Sequence, residues 1–270
     1  MKLFISADIE GTAGIADWGE TSPGNSLYDN YFVKQMTKEV SSACKGALES
    51  GVSEILIKDA HDTARNLIPS ELPEQARILR GWTGLPCSMM AGLDSSFDAA
   101  AMTGYHTCGA SNGSPLAHTM NLDTEYIRIN GELASEFMIN AYFAAYQKVP
   151  VIFISGDEMI CSLAKNICPH ITAVPASRGI GGASIGLHPA EAVRRIEAGM
   201  KEALAGDISK CLITLPSSFH VEVRYREHKK ALFNSHFPGA ELVDMKTVSF
   251  FSEDYMDVLD TCEMYVELES

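Results

Sequence analysis

The pattern that most limits what this chain can fold into is an alternation of short apolar runs with longer stretches of helical periodicity. Residues 2–7, 54–58 and 149–155 are rich in Ile, Leu, Val or Phe and lead into polar segments, as buried strands do. Between the first two, Phe32, Met36, Val40, Ala43, Cys44 and Ala47 recur at helical spacing, and Gly51 is placed to stop a helix over 32–50. Residues 134–146, 157–167, 189–204 and 254–267 read as further helices, while 219–226 alternates like a half-exposed strand. This order predicts an α/β fold, a mostly parallel sheet flanked by helices, with functional residues at the carboxyl ends of the strands. Composition shifts toward glycine between Pro169 and Leu187. The expected division is therefore a catalytic α/β domain over 1–168 and a second, smaller lobe over 169–270 that carries oligomer contacts.

Charge and composition remove several function classes. Asp and Glu number 35 against 21 Lys and Arg, a net charge of -14, so no general positive field is available to grip nucleic acid. No apolar stretch approaches the ~20 residues of a membrane helix, and Asp8 and Glu10 interrupt the N-terminal run before a signal-peptide core forms. Seven scattered cysteines, with no Cys-x-x-Cys pair, read as reduced thiols, and the cytoplasm is the expected compartment.

The sharpest local feature is Asp8-Ile9-Glu10-Gly11 at the end of the first strand. On an extended backbone Asp8 and Glu10 point to one side, and two converging carboxylates repel unless a proton or a cation sits between them. Solvated acids at a strand end are the ordinary alternative. Two other strand ends carry histidines, in Lys58-Asp59-Ala60-His61-Asp62 and Thr103-Gly104-Tyr105-His106. In an open α/β sheet these ends line one crevice, where mixed carboxylate and imidazole ligands suit zinc, with manganese and cobalt as competitors.

Asp8-Ile9-Glu10-Gly11, Asp59-Ala60-His61, Gly104-Tyr105-His106, His118-Thr119-Met120 and the Ser135-Glu136 helix start, in this order, resemble the D-aminopeptidase family of the DppA type. The resemblance implies a two-zinc peptidase that removes N-terminal D-amino acids from short peptides and assembles as a decameric ring around an inner chamber. It further implies that Asp8, Glu10, His61, His106 and Glu136 are zinc ligands, two ions per subunit, with Asp8 as the bridge and His118 as the catalytic histidine. Without the resemblance, Glu136 reads as an acid complementing a helix dipole. Two departures stand out. Ser135 occupies a place where glycine is familiar, and residues 175–183 lack an expected lysine, for which Arg178 is the candidate substitute in holding a peptide carboxylate.

Two metals of this kind supply a nucleophile from water and a Lewis acid for the carbonyl, and His118 is expected to stabilise the developing charge or to move a proton. The loop over 109–115 has a composition suited to moving over the site. Asp59 and Asp62 are candidates for orienting the His61 ring, and Asn140 for reaching the site from one turn beyond Glu136. Trp82, Met89 and Met90 read as core or interface residues. The alternative functions are a two-metal phosphoesterase and a metal-stabilised peptide-binding ring without turnover.

Overall fold

The computed structural model describes residues 1–267. In chain order the strands are β1 (Lys2–Ala7), β2 (Glu54–Asp59), β3 (Ala76–Leu79), β4 (Ala99–Tyr105), β5 (Thr124–Ile129) and β6 (Glu132–Leu133). They continue with β7 (Val151–Asp157), β8 (Thr172–Ile180), β9 (Ala183–Gly186), β10 (Phe219–Tyr225), β11 (Glu241–Asp244) and β12 (Thr247–Ser252). The α-helices are α1 (Val33–Glu49), α2 (Glu136–Tyr146), α3 (Glu158–Ile167), α4 (Pro189–Ala205), α5 (His228–Asn234) and α6 (Tyr255–Glu267).

A seven-stranded sheet runs in the order β3-β2-β1-β4-β7-β8-β9, parallel except for the β8–β9 hairpin at its edge. Because β1 is covered on both faces, Leu3, Phe4 and Ile5 are all fully buried, which is why the strand reads as a continuous apolar run. The chain passes from β1 to β2 and β3 on one side and then returns to β4 on the other. The carboxyl end of β1 is thus a switch point of the sheet, where a crevice opens.

A second, antiparallel sheet has the order β11-β12-β10-β5-β6. In β10 the alternating Phe219, Val221, Val223 and Tyr225 face the core, and the exposed His220 faces outward. Helix α2 touches β4 and β7 of the first sheet and also α6, so it lies between the two sheets. Tyr255 of α6 donates to the Ile139 carbonyl of α2 at 2.7 Å, and the rings of Tyr142, Phe219 and Tyr255 pack there.

The expected division at 168 falls between α3 and β8, inside the larger sheet, whereas β5 and β6 of the second sheet precede it. The glycines of 179–186 that mark a composition shift build the β8–β9 hairpin instead. No helix among the described residues is long and apolar enough to cross a membrane.

Candidate metal centre

The two acids after β1 lie beyond the strand, yet their backbone stays against β4. The Asp8 N–H donates to the Thr103 carbonyl at 2.9 Å, and the Gly11 N–H donates to the Gly104 carbonyl at 2.8 Å. That approach needs glycine: a Cβ on Gly104, whose φ is +70°, would stand 2.1 Å from the Asp8 carbonyl oxygen. Ile9 is buried in the core, and Asp8 and Glu10 turn their carboxylates to a common point.

Five elements bring six side chains to that point. His61 Nδ1 lies 3.1 Å from Glu10 Oε2 and 3.4 Å from Asp8 Oδ1. His106 Nε2 lies 3.5 Å from Asp8 Oδ2 and 3.4 Å from Glu136 Oε2. His118 Nε2 is 3.7 Å from Glu136 Oε1 and 4.0 Å from Glu10 Oε1, and its ring stacks on His106 at 4.2 Å between centroids. All six are buried. Glu136 opens α2, but Ser135 is the residue that caps it, accepting from the Met138 N–H at 3.1 Å. Glu136 is free to face the cluster, where its Oε1 accepts from the Met120 N–H at 2.7 Å.

Each histidine is held by a backbone carbonyl on its far nitrogen: Thr21 at 2.9 Å for His61 Nε2, Thr107 at 3.0 Å for His106 Nδ1, and Leu116 at 2.9 Å for His118 Nδ1. A carbonyl only accepts, so the far nitrogen carries a proton and the near one is left to face the cluster. Asp8 Oδ2 and Glu10 Oε2 are buried without a hydrogen-bond partner. Orphaned carboxylate oxygens facing imidazole nitrogens are the donor set of a cation such as zinc. The residues present therefore fit the metal.

The charges of the metal-free cluster are strongly interlocked. Burial and the neighbouring Glu10 push the Asp8 carboxyl well above the usual carboxylate range. Burial acts the same way on Glu10, but the neighbouring imidazole of His61 outweighs it and holds Glu10 well below that range. Burial would lower His61 and His106, yet Glu10 beside the first and Glu136 beside the second raise both. His118 is lowered, by burial first and then by the charge of His106.

Several residues sit elsewhere than the sequence indicates. The Asp59 carboxylate does not orient the His61 ring. It accepts from the Asn66 N–H at 2.6 Å, Asn66 Nδ2 at 2.8 Å and the Leu67 N–H at 2.7 Å, stapling the loop that follows β2. Asn140 bonds the Tyr105 hydroxyl at 2.9 Å below the site and is a packing amide. Arg178 lies 3.9 Å from Glu158, in a different hollow with Asn112 and Gly113. The loop over 109–115 is anchored, since the Gly179 N–H donates to the Gly113 carbonyl at 2.9 Å. Trp82 and Met89, read from sequence as core or interface, line the cleft of about 360 Å³ above the cluster, along with Trp18, Met120 and Leu122. No motif marks these wall residues, because apolar side chains in loops carry no period.

Known proteins resemble this chain over nearly its whole length. The D-aminopeptidase of Bacillus subtilis (strain 168) is 28% identical over 270 residues, covering 99% of this chain and 97% of the relative. The solved structure of the Zn-dependent D-aminopeptidase DppA from Bacillus subtilis, described as a self-compartmentalizing protease, superposes with a TM-score of 0.92 at 29% identity, covering 99% of this chain and 97% of that one. The family described as D-aminopeptidase matches residues 1–264, and with the buried carboxylate and histidine cluster inside that span the chain belongs to the D-aminopeptidase family.

Proposed function

We propose that Asp8, Glu10, His61, His106 and Glu136 hold two zinc ions bridged by Asp8, and that His118 is the catalytic acid-base of a D-aminopeptidase acting on short peptides. The activity, a zinc-dependent aminopeptidase, follows from family membership and the full-length match to DppA. The observation that carries the two-ion assignment is the orientation of Asp8, whose Oδ1 faces His61 and whose Oδ2 faces His106. Its two oxygens serve two groups that share it, Asp8 with Glu10 and His61, and Asp8 with His106 and Glu136, while a third group of Glu10, His106 and His118 brings His118 within the same reach. Zinc in such a set supplies a Lewis acid and draws a nucleophile from water near neutral pH.

His118 has its Nδ1 proton committed to the Leu116 carbonyl, so Nε2 is the atom that takes a proton from the attacking water and returns it to the departing amine. Trp18 meets the His118 ring edge-on at 5.1 Å and limits its rotation. Burial keeps bulk water from competing for that proton. His118→Ala is expected to retain two zinc ions per chain while turnover falls by about 10² to 10⁴, the usual loss for a general acid-base. Loss of one ion by elemental analysis would make His118 a ligand and overturn this division of roles. The assembly we propose is a decameric ring in the cytoplasm that admits short peptides to an inner chamber; a fully active monomer on sedimentation would exclude it.

A further inference from the structure

We propose that Asp157 is a positioning residue for His106: through Thr107 it fixes the carbonyl that orients the imidazole, and it thereby sets the affinity of the zinc ion that His106 holds with Asp8 and Glu136. This rests on the ligand assignment above and deepens it.

Asp157 is the last residue of β7, and both it and Thr107 are buried. Its Oδ2 accepts from the Thr107 N–H at 2.6 Å, and its Oδ1 accepts from the Thr107 hydroxyl and, at 2.8 Å, from the Ile160 N–H. The Ile160 bond caps α3. The two Thr107 bonds are not needed for a cap. They grip one residue by its backbone and by its side chain, which leaves the direction of its carbonyl determined. That carbonyl is the one that accepts from His106 Nδ1 at 3.0 Å. The close approach is built into the strands: β7 pairs with the end of β4 at Tyr105 and Gly156, where a Cβ on Gly156 would stand 1.9 Å from the Tyr105 carbonyl oxygen.

The other two histidines rest on weaker supports. Thr21, whose carbonyl serves His61, donates its hydroxyl to the Trp18 carbonyl at 3.0 Å, and Leu116, whose carbonyl serves His118, donates its N–H to the Ser114 hydroxyl at 3.2 Å. Of these three residues Thr107 is the one tied to a carboxylate, and hydrogen bonds to an ionised acceptor are roughly twice as strong as neutral ones. Burial pushes the Asp157 carboxyl up, and the Thr107 and Ile160 donors oppose that by favouring the ionised form. Because both residues are closed to solvent, water cannot replace a bond that is removed, and the freed donor must move or stay unsatisfied.

The test titrates the zinc-loaded enzyme with a chromophoric chelator and reads the affinity of each ion from its stepwise release. Asp157→Asn keeps the shape but offers one accepting oxygen to three donors. Asp157→Ser keeps the cap on α3 with a side chain too short for Thr107, and it serves if the amide variant does not fold. Each should weaken one of the two zinc constants by about tenfold, the lower end of what loss of a ligand's hydrogen-bond partner costs, and leave the other where it was. In a His106→Ala background, where the ion beside His61 remains, the same substitutions should leave zinc affinity unchanged. A merely structural role predicts a lower melting temperature with both constants intact, or a weaker remaining ion in the His106→Ala background; either result overturns the proposal and leaves the ligand assignment standing. If His106→Ala by itself leaves two ions bound with unaltered constants, the ligand assignment fails and the Asp157 proposal falls with it.

Discussion

At the scale of single residues, the site depends on backbone contacts as much as on ligands. Gly104 has φ +70°, and an added Cβ would lie 2.1 Å from the Asp8 carbonyl oxygen; Gly131 has φ +87° with open space around it. Alanine at Gly131 should cost about 1 kcal/mol, the left-handed penalty alone. Alanine at Gly104 should cost more than about 2 kcal/mol and lower the zinc content, because Asp8 must shift to relieve the clash. Denaturant titration with zinc analysis of both variants checks this, and equal costs would mean that the contact is easily relaxed. Asp8, Glu10, His61 and His106 stand out in the sequence because they fall at ends of strands that share one crevice, although a solvated acid is the ordinary reading of either acid alone. Glu136 does not, since an acid in the first turn of a helix has an ordinary use, and only the placement of Ser135 as the cap shows that this acid is turned elsewhere. The carbonyls of Thr21, Thr107 and Leu116 leave no trace in the sequence, because every residue has a carbonyl.

At the scale of elements, legibility follows periodicity. The buried runs of β1 and β2 and the amphipathic α1 and α4 stand within a residue or so of where the sequence puts them. β7 begins two residues later than read, after Pro150, and β8, β9, β11 and β12 are not marked, because β9 and β11 are four-residue edge strands and β8 and β12 mix apolar residues with Thr, Ser, Pro or Gly without a sustained pattern. Helix α1 also holds a group that its apolar stripe conceals. Glu39 is fully buried, its Oε1 accepting from the Ala13 N–H at 3.0 Å and Gln35 Nε2 at 2.8 Å, while Oε2 has no partner. Burial pushes its carboxyl up from 4.5 to about 7. Between those values the folded chain keeps a proton that the unfolded chain has lost, so stability from this group is full below 4.5 and declines as pH rises through 7. The loss is at most about 3 kcal/mol. Glu39→Gln preserves the accepting oxygen and should remove this decline, which unfolding curves at pH 5 and pH 8 would show; an unchanged slope would assign the pH dependence to other groups.

At the scale of the whole molecule, the proposed metal centre is where the layers meet. Asp8 follows β1, His61 follows β2, His106 follows β4, and Glu136 opens α2, the helix that lies between the parallel and antiparallel sheets. A division into two lobes at 168 is not what the chain order of the strands describes, because residues on both sides of that point contribute to each sheet. Binding at such a junction is coupled to the folding of both layers. Without a cation, three carboxylates face each other in a buried space, and burial and Glu10 push the Asp8 carboxyl up because they make its ionisation costly. Zinc binds the folded arrangement far better than the unfolded chain, so at a free concentration 1,000 times Kd it should stabilise the protein by about 4 kcal/mol. Calorimetry with zinc and then with a chelator should show a single transition whose midpoint falls by several degrees on chelation. Asp8→Asn, which removes the proposed bridge, should show a much smaller difference between the two conditions. A midpoint indifferent to chelation would place the metal outside this junction, and two transitions of which one alone moves would mean that the sheets unfold separately.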